Sequence, residues 1–389
     1  WLIFTPGYSA DPDAGFHVGC ARLYATQGWI GDFPWLGYTA LAENFPNVYF
    51  LQHVLLAPIA LAFEPELAVY VSTWFLGSAL AVSLWLVLRR WRVPYAALWS
   101  VLGLCASQYS VVYLSSLKGG STFYVLLPWF ADAVWSRATK RAFVLSWLSV
   151  YVYVGASILL PMVVVFVLVC GLWERSWPWR LILAVVGGVA CGMLVNPFWP
   201  GHWAHTLHEL GSVFLRTSPE VEAIRGGEWM ALQGPTILTV AGPMLVAWGA
   251  CLVLHMRRGE RTSPGAAAGA LVALGLFGGS LLGGAKLLYL FLLVSAIFLP
   301  LLARELGRWP RWAALGVVLL AAGNAAANVD FRYHNRDRFP PLAEYRAMAK
   351  LLERETAEGE LVLAPWDDFC GLFLFDQRKD ARVRAQVPI

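Results

Sequence analysis

Runs of apolar side chains, each close to the length of a bilayer crossing, decide what this chain can fold into. Leu67–Leu88, Pro94–Leu114, Leu181–Pro197, Pro235–Met256 and Trp312–Asn328 all approach the ~20 residues that one transmembrane helix needs. With 58% hydrophobic and 14% charged side chains, the composition excludes a soluble globular protein. The sequence predicts an all-α polytopic membrane protein. A net charge of +4 does not point to nucleic acid, because nearly all the basic residues sit in loops that orient helices. The six cysteines have no metal-ligand spacing and read as small core residues.

Short basic loops mark the cytoplasmic side. Arg89–Arg92, Arg137–Arg141, Arg175–Arg180, Arg257–Arg261 and Arg304–Arg311 can all be placed there together. The loops on the other side are then Ser9–Asn47, Ser115–Gly120 and Trp199–Gly234, with the tail from Asp330. This arrangement has two consequences. Val48–Phe63, which carries Gln52, His53 and Pro58, is an interfacial or re-entrant piece and not a span. Phe143–Trp173, basic at both flanks, is two short helices broken near Gly155 to Pro161. Broken helices at membrane depth line cavities, because free backbone groups cannot face lipid.

Two regions follow: a transmembrane domain over 1–328, with external loops 9–47 and 199–234, and an extracytoplasmic α/β segment over 329–389. In the second, Pro341–Glu358 reads as an amphipathic helix, Glu360–Ala364 and Gly371–Phe375 as strands, and Arg382–Val387 as a third strand. The chain opens at Trp1 without Met and stops at Ile389 in mid-pattern, which predicts a preceding helix and further C-terminal sequence.

Two carboxylates, Asp11 and Asp13, stand at the membrane boundary of a chain with few charges. As structure, Asp11-Pro12-Asp13 is an N-cap, N1 and N2 opening an amphipathic helix Ala14–Gln27 along the interface. As chemistry, Asp13 is a base that deprotonates a hydroxyl or a ligand for a hard cation such as Mg²⁺ or Mn²⁺, with Asp11 beside it. Lys118, Lys286, Arg216 and Arg225 are external cations suited to a phosphate group, and Lys118 and Lys286 also suit snorkelling anchors. Glu228 offers a second carboxylate in the later loop. His202, His205 and His208, spaced by three, cannot all face one point on a helix and read as interfacial.

Asp13-x-x-Phe16-His17 followed by Ala21-Arg22-Leu23 resembles the first external loop of GT-C glycosyltransferases. It is most similar to the Asp-x-Tyr-Tyr-His stretch of archaeal and bacterial oligosaccharyltransferase-type proteins, in a superfamily that also holds protein mannosyltransferases. Phe33-Pro34-Trp35 and Tyr49–Phe63 suit the same loop. The resemblance implies a GT-C-like helical bundle and a polyprenyl-phosphate or -diphosphate sugar donor. It makes Asp13 the catalytic residue and His17 a donor-side residue. The site would face the periplasm or exterior of a cytoplasmic (inner) membrane, and the acceptor would be a lipid, a glycan or a protein. Lys118-Gly119-Gly120 stands where these enzymes usually carry acidic metal ligands, a departure that favours direct phosphate pairing by Lys118. Pro365-Trp366-Asp367-Asp368 is similar to their Trp-Trp-Asp-Tyr-Gly motif, which puts Trp366 and Asp367 on the acceptor side. Two noncatalytic readings stay open: a transporter or flippase, and a scaffold subunit that keeps the fold. Against transport, the helix interiors carry almost no charge and the polar groups gather at one face.

Overall fold

A computed structural model describes residues 13–36, 45–105, 107, 110–111, 116–214, 234–258, 262–283, 285–306, 319, 322–323, 326, 341–355, 362–375 and 383–386. The expected span Trp312–Asn328 and most of Trp199–Gly234 beyond Phe214 lie outside the described residues. Among the described residues, five helices are long and apolar enough to cross a membrane: Pro65–Arg90, Val154–Glu174, Val240–Arg257, Pro264–Leu281 and Leu287–Glu305. The chain is an all-α, multi-pass membrane protein.

In chain order the helices are α1 (Asp13–Gln27), α2 (Phe50–Ala62), α3 (Pro65–Arg90), α4 (Ala96–Cys105), α5 (Ser121–Trp135), α6 (Thr139–Val150), α7 (Leu159–Glu174) and α8 (Arg180–Leu194). They continue with α9 (Gly201–Phe214), α10 (Gly234–Arg258), α11 (Pro264–Gly283), α12 (Ala285–Glu305), α13 (Leu342–Glu355) and α14 (Trp366–Phe375). Strands β1 (Val362–Pro365) and β2 (Val383–Gln386) flank α14 and pair in parallel, Val362 opposite Val383. A parallel pair needs a crossover, and α14 supplies it.

A chain of polar contacts ties three of the basic clusters to one end of the bundle. Asp132 of α5 takes Arg90 at 3.2 Å and Arg141 at 2.7 Å, and Arg137 pairs with Glu174. Arg304 donates to the Trp91 carbonyl, while its neighbour Glu305 accepts from the Ser263 N–H at 3.0 Å. Phe143–Trp173 is two helices, α6 and α7, with the break at Tyr151–Ile158, as the charge pattern requires. Pro161 falls in the first turn of α7, where a missing N–H costs nothing. Helix α2 has 13 residues, a rise of about 20 Å. Its first turn is held where the α6–α7 break lies, by the Leu51 N–H to Tyr151 carbonyl bond at 2.9 Å. Ala62 leads directly into the start of α3, where Glu66 meets Arg346 of α13 at 2.8 Å. Both ends of α2 therefore stand opposite the basic end. On α9, Trp203 and Leu207 are exposed one turn apart, while His202 and Thr206 are buried.

Two expectations are corrected. Helix α1 is not amphipathic and does not lie on the surface: its residues from Ala14 to Ala21 are buried. It has two apolar stripes. Phe16, Cys20 and Leu23 pack with Phe33, Trp35, Phe45, Phe369 and Phe373; Ala14, Val18 and Ala21 pack with Leu56, Ala68, Val69 and Leu117. Second, Gly371–Phe375 is the end of helix α14 and not a strand, because Phe369, Leu372 and Phe373 recur at helical spacing and fill the aromatic cluster against α1. The C-terminal segment and the first loop thus share one apolar cluster. Helix α4 covers the first half of the expected span Pro94–Leu114, and most of the second half lies outside the described residues.

Candidate functional site

The site lies at the end of the bundle opposite the basic clusters, and its centre is a contact between the first residue of α1 and the loop before α5. Asp13 Oδ2 lies 3.1 Å from Lys118 Nζ, with the two side chains 28% and 20% exposed. Each element is held in place by packing. Gly15 lets α1 cross α14 at backbone distance, since a Cβ there would lie 2.3 Å from the Cys370 carbonyl oxygen. Gly119 admits the Tyr49 ring, whose nearest atom would be 2.3 Å from an added Cβ. The Lys118 carbonyl accepts from Gln52 Nε2 at 3.0 Å, and the Gln52 Oε1 accepts from the Thr122 N–H at 3.2 Å. The Lys118 N–H donates to Ser121 Oγ at 3.1 Å, which ties the loop to the first residue of α5.

His17 sits one helical turn beyond Asp13, buried and against the Tyr49 ring at 5.1 Å between centroids. Its Nδ1 lies 2.8 Å from His53 Nε2. His53 Nδ1 in turn is 2.8 Å from Asn47 Nδ2, which also donates to the Tyr24 hydroxyl at 2.9 Å. Burial pulls His17 down to about 4; Asp13 opposes this and Lys118 adds to it. His53 is lowered well below its usual value by burial and by His17 beside it. Both rings are neutral at physiological pH.

Of the residues the sequence singled out, Asp13, Lys118 and His17 come together. Asp11, Arg216, Arg225 and Glu228 lie outside the described residues. Lys286 is the second residue of α12, and Trp366 and Asp367 open α14; the side chains of all three lie outside the described ones. His202 is buried on the inner face of α9, where burial, and then His205, lower it to about 4. Sequence reasoning missed Asn47, Gln52 and His53 as site residues. Their signal was present: Gln52 and His53 are adjacent polar residues inside the apolar run of α2.

Among the described residues no group of three His, Cys, Asp or Glu could hold a metal ion. Asp13 faces the Lys118 ammonium. Beside the Lys118 loop runs an apolar cleft between α3, α4, α5 and α12. Ser116, Ser121 and Tyr124 line it near Lys118; Leu80, Leu104 and Ala296 line it farther along.

Fold and composition define a multi-pass α-helical membrane protein with a polar site at one end. No protein-family model matches the chain, and no curated protein matches it.

Proposed function

We propose that this protein is a glycosyltransferase of the GT-C type, moving a sugar from a polyprenyl-linked phosphate donor to an acceptor outside the cytoplasm. The observation that carries the reading is the half-buried Asp13–Lys118 pair beside an apolar cleft. A lipid-linked phosphate needs both parts: an apolar channel for the chain and a cation for the head.

In this reading the donor's isoprenoid chain occupies the cleft from Leu80 to Ser116 and its phosphate reaches Lys118. Lys118 then exchanges Asp13 for the phosphate, which leaves the Asp13 carboxylate free as a base. Asp13 takes the proton of an acceptor hydroxyl as its oxygen attacks the anomeric carbon. The sugar–oxygen bond to phosphate breaks, and the phosphate leaves with the bonding pair, neutralised by Lys118. Attack opposite the leaving group inverts the anomeric centre. Support for the site facing outward comes from the gathering of the clusters of Arg90, Arg137 and Arg304 at the far end. The βαβ pairing around α14 supports a small extracytoplasmic α/β segment.

The test is transfer from radiolabelled polyprenyl-phosphate sugars, with the full-length protein in proteoliposomes and membrane extract as acceptor. Transfer by the wild type and none by Asp13→Asn is the expected result. Donor binding without turnover by any donor would reject the transferase and favour a flippase or scaffold.

A further inference from the structure

Three polar residues that the proposed transfer does not use, Asn47, His53 and Tyr24, form one hydrogen-bond chain with His17. Its direction is fixed at one end. The Tyr49 backbone N–H lies 3.0 Å from the Asn47 side-chain oxygen, and a backbone N–H can only donate. That contact orients the amide, so Asn47 Nδ2 is the atom that meets His53 Nδ1 at 2.8 Å. An amide nitrogen is a donor only, so His53 Nδ1 accepts and the His53 proton resides on Nε2. His53 Nε2–H then donates to His17 Nδ1 at 2.8 Å, and the His17 proton resides on Nε2. Each tautomer follows from the bond before it.

We propose that Asn47 and His53 are positioning residues that lock His17 as a neutral Nε2–H donor beside Asp13, for an oxygen of a bound phosphate group. His17 lies one helical turn from Asp13 on the same face of α1 and packs on the Tyr49 ring, which in turn lies against Gly119 beside Lys118. Its Nδ1 is occupied as an acceptor and its Nε2 carries a proton, so His17 has no site left to act as a base. Proton removal falls to Asp13, and His17 adds a directional hydrogen bond to the charge of Lys118. Buried neutral donors of this kind are worth most when they need not reorganise as charge develops. The phosphate in this proposal rests on the preceding reading; the tautomers do not.

The experiment is nitrogen NMR of the full protein, ¹⁵N-labelled at histidine, in nanodiscs at neutral pH, with His17→Gln and His53→Gln to assign the rings. Both rings are expected neutral with the proton on Nε2. A proton on Nδ1 of either ring, or an imidazolium at His17, would overturn the relay. In Asn47→Asp the new carboxylate accepts from His53 Nδ1, so the chain reverses and the His17 proton moves to Nδ1. Wild-type tautomers in that variant would also overturn it. Dodecyl phosphate and inorganic phosphate are then titrated separately. A shift of the His17 Nε2–H signal with either supports donation to phosphate, and a shift with dodecyl phosphate alone identifies a lipid head group. No shift with either overturns donation to phosphate. A shift without sugar transfer keeps this proposal and removes the transferase.

Discussion

Lys118 Nζ rests 3.1 Å from Asp13 Oδ2, joining two residues 105 positions apart in the chain. Both side chains are partly exposed, so the pair contributes less than about 1 kcal/mol to folding. Its effect on chemistry is larger. Asp13→Asn removes the base, and Lys118→Met removes the phosphate's cation. Each is expected to lower transfer from polyprenyl-phosphate sugars by ~10²-fold or more, while the melting temperature barely moves. Asp13→Asn with wild-type turnover would end the assignment.

Gly15 is the point where α1 and α14 touch backbone to backbone. In Gly15→Ala the new methyl would sit 2.3 Å from the Cys370 carbonyl oxygen, and neither backbone can yield without parting the helices. Thermal unfolding in detergent should report a loss on the order of 2 kcal/mol. Gly278→Ala, whose Cβ meets nothing within 4 Å, is the matched control and should be neutral or slightly stabilising. Equal effects at the two positions would dismiss the close crossing.

Charge placement made the larger features legible before any coordinates. Basic residues at both flanks of Phe143–Trp173 demanded an even number of crossings, and the chain breaks at Tyr151–Ile158. Gln52, His53 and Pro58 argued against a span at α2, and the helix is 13 residues long. What stayed hidden depended on partners distant in sequence. Helix α1 could not be recognised as buried, because the stripe of Phe16, Cys20 and Leu23 is covered by residues near position 370. Gly371–Phe375 is apolar at nearly every position, so periodicity cannot separate a strand from a buried helix there. Asp13 and Lys118 were each singled out, but nothing local to either could say that they meet.

Burial of neutral His17 gives the fold a defined response to acid. The native ring binds its proton at about 4, the unfolded one at the ordinary 6.5. The unfolded chain therefore takes up the proton first as pH falls. The stability held by neutral His17 is intact above pH 6.5 and drains away between 6.5 and about 4, reaching a loss of about 3 kcal/mol at the lower limit. Melting temperatures measured from pH 7 to 4.5 should fall steeply for the wild type and less steeply for His17→Gln. Parallel curves would mean that another group governs the acid response.

At the far end of α5 the buried Asp132 carboxylate holds three donors: Arg90 at 3.2 Å, Arg141 at 2.7 Å and the Trp91 indole at 2.9 Å. Asp132→Ala strands a buried indole N–H and unties two cations, a cost on the order of 3 kcal/mol. Arg90 is 55% exposed and can rehydrate, so Arg90→Gln should cost less than about 1 kcal/mol. Comparable melting shifts for the two variants would show that the carboxylate is not the organising group.

The separation of these two polar ends makes a statement about membrane sidedness. Asp32 lies in the loop after α1, where Trp29 stacks on Phe198 at 4.5 Å, on the Asp13 side. Ser136 lies at the other end, donating to the Asp132 carbonyl and accepting from Arg141 Nη2 at 2.6 Å. Both are exposed. With the native cysteines replaced, a single cysteine at Asp32 should react with an impermeant maleimide added outside intact cells. One at Ser136 should react only after permeabilisation, because the basic clusters around it belong in the cytoplasm. Labelling of both from one side would leave the five apolar helices without a consistent path across the bilayer. The reverse pattern would turn the Asp13–Lys118 site inward and remove an extracytoplasmic acceptor from the proposed reaction.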